Sequence, residues 1–164
     1  MEDPQHSQVS NFSSFSVERC CLSEREVELL MEAARQHRWG HRDATAILVA
    51  YQHGLRASEL VALRWDDIDL TTGRLRIRRS KGGGAASSHP ISAQESLALR
   101  RLRDEAVPAQ RVFASEHGAP FRVTGYERMI ARAGAEAGFG FVVRSRMLRR
   151  DPALERTAEP TMPQ

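Results

Sequence analysis

The sequence predicts one α+β domain, mainly helical, with a short strand region near its middle. Three observations predict it. Apolar residues recur at helical spacing in four windows, each opened or closed by a residue type that caps helices. Between the second and third windows, Arg74 to Arg78 alternates charged and apolar side chains at period two, the pattern of a strand with one face on a core. Finally, 164 residues with 41% hydrophobic content suffice for a single core.

Taken in order, residues 1–22 are rich in Ser, Asn and Gln, contain Pro4 and show no apolar period, so they read as a flexible tail. Ser23-Glu24-Arg25-Glu26 is a capping box, and Val27, Leu30, Met31 and Ala34 follow at helical spacing, which predicts a helix from about 24 to 37. A second helix, from about 42 to 53, is closed by Gly54. A short third one spans Ser58 to Leu63, with Leu60 and Leu63 on the core. Arg56 is thereby held at a helix junction, with Glu59 close enough along the chain to orient it. A guanidinium fixed that way suits bidentate capture of a phosphate or carboxylate, and the same spacing also fits a purely structural Arg-Glu pair.

After a Thr71-Thr72-Gly73 turn, the next strand puts Leu75 and Ile77 on one face and Arg74, Arg76 and Arg78 on the other. Such a face can meet phosphate; it also describes a solvated edge strand protected by its charges. Lys81 leads into Gly82 to Ser88, a loop with little conformational restraint, and the G-x-x-x-x-G-K-[ST] order of a P-loop is absent. Ser92 caps a helix reaching about Glu105, which Val107-Pro108 ends. Thr124 caps another from about 125 to 137, carrying Tyr126, Met129, Ile130 and Ala133 and closed by Gly138 and Gly140. Phe139, Phe141, Val142 and Val143 then supply a buried strand-like or connecting segment.

A net charge of +3 and an isoelectric point of 9.4 permit a polyanionic partner without requiring one. The bases are clustered: Arg74, Arg76, Arg78, Arg79 and Lys81 in one group, and Arg144, Arg146, Arg149 and Arg150 in another. Two solvated charged faces would look the same. Cys20 and Cys21 are adjacent, which makes neither a disulfide framework nor a zinc pair and points to a reduced compartment. With no apolar run of roughly 18 residues and no charged leader ahead of an apolar segment, a cytoplasmic protein off the membrane is expected. His37, His41 and His53 lack a nearby cysteine or carboxylate constellation, so no metal site is predicted.

The stretch Gly54-Leu55-Arg56-x-Ser58-Glu59-Leu60, followed by Leu63-x-Trp65-x-Asp67-Ile68-Asp69, closely resembles the first signature box of the tyrosine recombinases, the phage integrase family, especially the small fimbrial-switch type. Gly73 to Ile77 and Ser80-Lys81-Gly82 are similar to that family's β-hairpin with its active-site lysine, and Ser88-His89-Pro90-Ile91 to its returning strand. The resemblance covers about residues 23 to 149. It implies a small antiparallel three-stranded sheet, double-stranded DNA as partner, no cofactor, and a homo-oligomer or a full-length recombinase as a further partner. It also implies phosphate binding by Arg56, supported by Glu59, proton donation from Lys81 to a departing 5′ oxygen, and DNA contacts from Arg74, Arg76, Arg78 and Arg79.

The second box of that family is H-x-x-R. Here Arg149 fits the arginine, with Met147-Leu148 before it, and Arg146 stands where the histidine belongs. Beyond Arg150 the chain is polar, with prolines at 152, 160 and 163 and no tyrosine. The expectation is therefore a partial catalytic domain over 23–150, an irregular tail over 151–164, and an N-terminal DNA-clamping domain that is absent or vestigial. Such a tail is what a change of reading frame would produce. Without the nucleophile the family's covalent phosphotyrosine cannot form; Tyr51 and Tyr126 are expected to be packing residues. The chain is expected to be a recombinase by descent that is inactive alone, with a non-catalytic DNA-binding regulator or competitor, or a remnant without function, as alternatives.

Overall fold

The computed structural model describes residues 19–79 and 84–150. Lys81 at the expected hairpin tip, most of the N-terminal tail and all of the C-terminal one lie outside these residues.

The described residues form five α-helices and one three-stranded sheet. Helix α1 (Glu24–Arg35) begins on the expected box: the Glu26 amide donates to Ser23 Oγ at 3.2 Å, and the Ser23 amide donates to Glu26 Oε2 at 2.8 Å. Its Val27, Leu30, Met31 and Ala34 are buried. Helix α2 (Gly40–His53) starts two residues earlier than expected, and every residue from Asp43 to Ala50 is buried. A helix apolar on all sides belongs at the centre, and α1, α3, α4 and a late 3-10 turn pack around it. Gly54, at φ 60°, ends α2 in the left-handed region that a residue with a Cβ disfavours.

Helix α3 (Ala57–Ala62) follows with Arg56 as its extended N-cap, and a 3-10 turn (Trp65–Asp67) leads into the sheet. Strands β1 (Ile68–Asp69), β2 (Arg74–Ile77) and β3 (Ser87–Pro90) pair antiparallel in that order, with Ile68 opposite Leu75 and Leu75 opposite His89. Leu75 and Ile77 are buried and Arg74 and Arg76 exposed, so the period-two pattern fixes the register.

Helix α4 (Ala93–Glu105) carries a second reciprocal box between Ser92 and Glu95. Helix α5 (Val123–Glu136) starts at Arg122 rather than Thr124, with no side-chain cap. Its Gly134 faces Val143, whose Cγ2 lies 2.4 Å from where a Cβ would sit, so the two segments meet without room for a methyl group. The 139–143 segment is a connection and not a strand; Val143 is buried while Val142 is 59% exposed. It ends in a second 3-10 turn (Ser145–Leu148), anchored by hydrogen bonds from the Ser145 amide and hydroxyl to Glu127 and by the Leu22 amide donating to the Met147 carbonyl. One core joins all five helices with Leu75 and Ile77 of β2 and Val112 and Phe113 of the connection before α5.

Candidate nucleic-acid interface

Of the expected site residues, Arg56, Glu59 and Arg79 meet at the C-terminal end of α2. Gly54 turns the chain there, and Arg56 and Glu59 follow within one turn of α3. The Glu59 carboxylate is buried, with 2% of its side chain exposed. Its Oε2 accepts from the Arg56 amide at 2.9 Å and from Arg79 Nη1 at 3.0 Å, while Oε1 lies 3.6 Å from Arg56 Nη1. One buried carboxylate thus fixes two guanidiniums from different elements. Their side chains remain 36% and 35% exposed, leaving outward donors for an anion. Arg79 also points toward the Gly54 carbonyl at 3.5 Å, the electronegative end of α2.

Arg149 directly follows the second 3-10 turn, which packs on α2. The neighbouring Arg150 guanidinium lies 4.8 Å over the ring of Tyr51, in the last turn of α2. The Arg149 Nε is buried and finds no hydrogen-bond partner among the described residues.

The remaining strand arginines divide. Arg74 donates from Nε to Ser88 Oγ at 3.0 Å across the sheet. Arg76 Nε and Arg78 Nη2 approach Asp67 Oδ1 at 3.5 and 3.3 Å, with side chains 51% and 65% exposed. Arg79 turns inward to Glu59 and so belongs with Arg56 rather than with the outward strand face.

Sequence reasoning missed a second layer. His53 Nε2 lies 2.6 Å from Glu95 Oε1, both nearly fully buried, and the His53 ring meets the His89 ring edge-on at 5.5 Å. Burial pushes the Glu95 carboxyl up, but the His53 hydrogen bond and the Ser92 amide outweigh it and hold it below its ordinary value. Burial, then the neighbouring His53, Arg79 and Arg74, lower the His89 imidazole. These contacts tie α2, α4 and β3 together beneath the arginines. The signal available was Glu95 three residues after Ser92; the 42-residue separation hid its second partner. His37 meets Glu136 and His41 the Ala98 carbonyl. No cluster of metal-ligating side chains occurs among the described residues.

A profile described as the phage integrase family matches residues 21–155. The chain belongs to the phage integrase family. It is 37% identical over 134 residues to the type 1 fimbriae regulatory protein FimE of Escherichia coli strain K12, covering 78% of this chain and 67% of that relative. With FimB of the same strain the identity is 32%, covering 78% and 66%. Among solved structures, the fold is similar to the XerA recombinase at a TM-score of 0.64 and 28% identity, covering 79% of this chain and 47% of that one. The lambda integrase catalytic core gives a TM-score of 0.66 at 21% identity, covering 80% and 79%, which shows the shared fold. The chain thus spans about two thirds of the fimbrial relatives and about half of the XerA chain. Its helices and small antiparallel sheet are those of a phage integrase family catalytic domain, and no helix among the described residues is long and apolar enough to cross a membrane.

Proposed function

We propose that residues 23–150 form the phosphodiester-binding part of a site-specific DNA recombinase, which holds double-stranded DNA but does not cut it unaided. The observation that carries this reading is the buried Glu59 fixing Arg56 and Arg79 at the C-terminal end of α2. Guanidiniums preorganised around one phosphate stabilise the extra negative charge of a pentavalent intermediate. Lys81, which follows β2 in the sequence, is assigned the proton for the departing 5′ oxygen. Arg74, Arg76 and Arg78 hold the flanking backbone.

The attacking oxygen is what the 164 residues do not supply. Of the two tyrosines, Tyr126 is fully buried, and burial followed by the nearby Glu127 pushes its hydroxyl up. Tyr51 is inside α2 with Arg150 stacked on its ring. Neither is read as the nucleophile. The reading therefore includes a full-length recombinase or a second copy as the partner that completes the reaction, in the reduced cytoplasm. Acting alone, the chain competes for recombination sites.

The test is binding and adduct formation on the same labelled duplexes, intact and nicked. Salt-sensitive binding with no detergent-resistant adduct is expected, since each phosphate contact releases counterions. An adduct that disappears in Tyr51→Phe would overturn the inactive assignment. Low-salt binding unchanged by Arg56→Gln combined with Arg76→Gln would overturn DNA as partner.

A further inference from the structure

The segment after α4 returns to the sheet side and forms a single antiparallel bridge that sets Arg64 directly opposite Arg111. The Trp65 amide donates to the Gln110 carbonyl and the Val112 amide to the Leu63 carbonyl, each at 3.0 Å. Those bonds flank the bridge, which makes Arg64 and Arg111 a non-hydrogen-bonded pair, the kind whose side chains approach most closely. Like charges directly opposite each other destabilise such a pair. Neither arginine has an ion-pair partner among the described residues: Arg64 Nη2 donates to Gln110 Oε1, Arg111 Nη1 to the Ala62 carbonyl, and the buried Arg64 Nε has no hydrogen-bond partner.

Both arginines line one cavity of about 250 Å3, as do Arg76 of β2 and Arg78 just after that strand. Four guanidiniums from three separate stretches face two carboxylates, Asp67 and Glu59, on its wall. Asp67 is spent locally: Oδ2 accepts from the Arg64 amide at 3.2 Å, and Oδ1 makes no hydrogen bond while standing 3.3 and 3.5 Å from Arg78 and Arg76. Glu59 is committed to Arg56 and Arg79. The cavity keeps an excess of cation, and an anion between Arg64 and Arg111 would turn their repulsion into attraction.

The geometry points to a second phosphate subsite, formed by Arg64 and Arg111 with Arg76 and Arg78, that takes a backbone phosphate of duplex DNA other than the one at Arg56. It rests on the DNA-binding reading and adds Arg64 and Arg111 to it.

The test is the salt dependence of binding to a labelled 20-base-pair duplex, an arbitrary length of about two helical turns. In Arg64→Gln/Arg111→Gln the slope of log affinity against log salt should fall in magnitude by about 1, with binding about tenfold weaker. Asp67→Asn, nearly isosteric and still able to accept the Arg64 amide, should bind about threefold tighter because one repelling charge is gone. This opposite sign carries the test if the double variant does not fold. An unchanged slope in the double variant, or weaker binding by Asp67→Asn, would overturn the subsite while leaving the DNA reading intact. A wild type without salt-sensitive binding overturns both. Displacement of the duplex by millimolar inorganic phosphate at matched ionic strength would assign the cavity to a free anion and overturn the backbone assignment.

Discussion

Glu59 shows how much one side chain can organise. It caps α3, anchors Arg56 and restrains Arg79, all from a buried position. Glu59→Ala would leave two cations around an empty wall, and loss of about 3 kcal/mol is expected. Glu59→Gln should lose less, because an amide oxygen still accepts from the Arg56 amide; urea denaturation of both variants checks this order. Glu95 sets an acid limit. Its carboxyl is held below its ordinary 4.5, so the unfolded chain takes up that proton first. The stabilisation is present at neutral pH and is lost as pH falls below about 4.5 and through the folded value. His89, lowered from 6.5, acts in the same direction at a higher pH, since the unfolded imidazole protonates first. Urea midpoints measured from pH 7 to 3 should fall in both windows, and Glu95→Gln should flatten the lower one. Of these residues, Arg56 and Glu59 were legible because their relation spans three positions. His53 with Glu95 was not, because only folding brings them together.

At the scale of elements, local chemistry set the helices well and their ends less so. Ser23 and Ser92 announce α1 and α4 because a hydroxyl and a glutamate three residues on satisfy two amides reciprocally. Ser92→Ala should lower stability by about 1 kcal/mol, read from the thermal midpoint. Helix α5 has no such side-chain cap, and Thr124 was a misleading cue: the helix begins on the extended Arg122. Period two located β2, but periodicity could not separate strand from connection in 139–143, where tertiary packing of Val143 on Gly134 decides. Gly134→Ala should be destabilising by about 1–3 kcal/mol although alanine favours helices, because the new methyl group meets Val143. Moving that contact also moves the chain that carries Arg149, so the same variant should lose DNA affinity; its denaturation curve and binding isotherm test both effects.

For the whole molecule, the continuous core argues against a remnant without a fold. All five helices and β2 contribute to one cluster, so residues 23–150 should melt in a single cooperative transition by calorimetry. Probes at α1 and at the sheet should give coincident midpoints. The family was legible from the first box because that box compresses a turn glycine, a junction arginine and a buried anchor into a few consecutive residues. The cationic cavity was not, because Arg64 and Arg111 belong to stretches 47 positions apart that pair through a single bridge.

The sealed hydroxyl of Tyr126 also makes the protein report on itself. In an alkaline titration of the Tyr51→Phe variant followed by ultraviolet absorbance, the phenolate band should come from Tyr126 alone. Burial holds the Tyr126 hydroxyl protonated above its ordinary value of 10.0, so its signal should accompany unfolding of the core. Because an unfolded tyrosine ionises near pH 10, the folded form loses stability as pH rises past that point. The size of the late absorbance step then counts unfolded molecules directly, without a label.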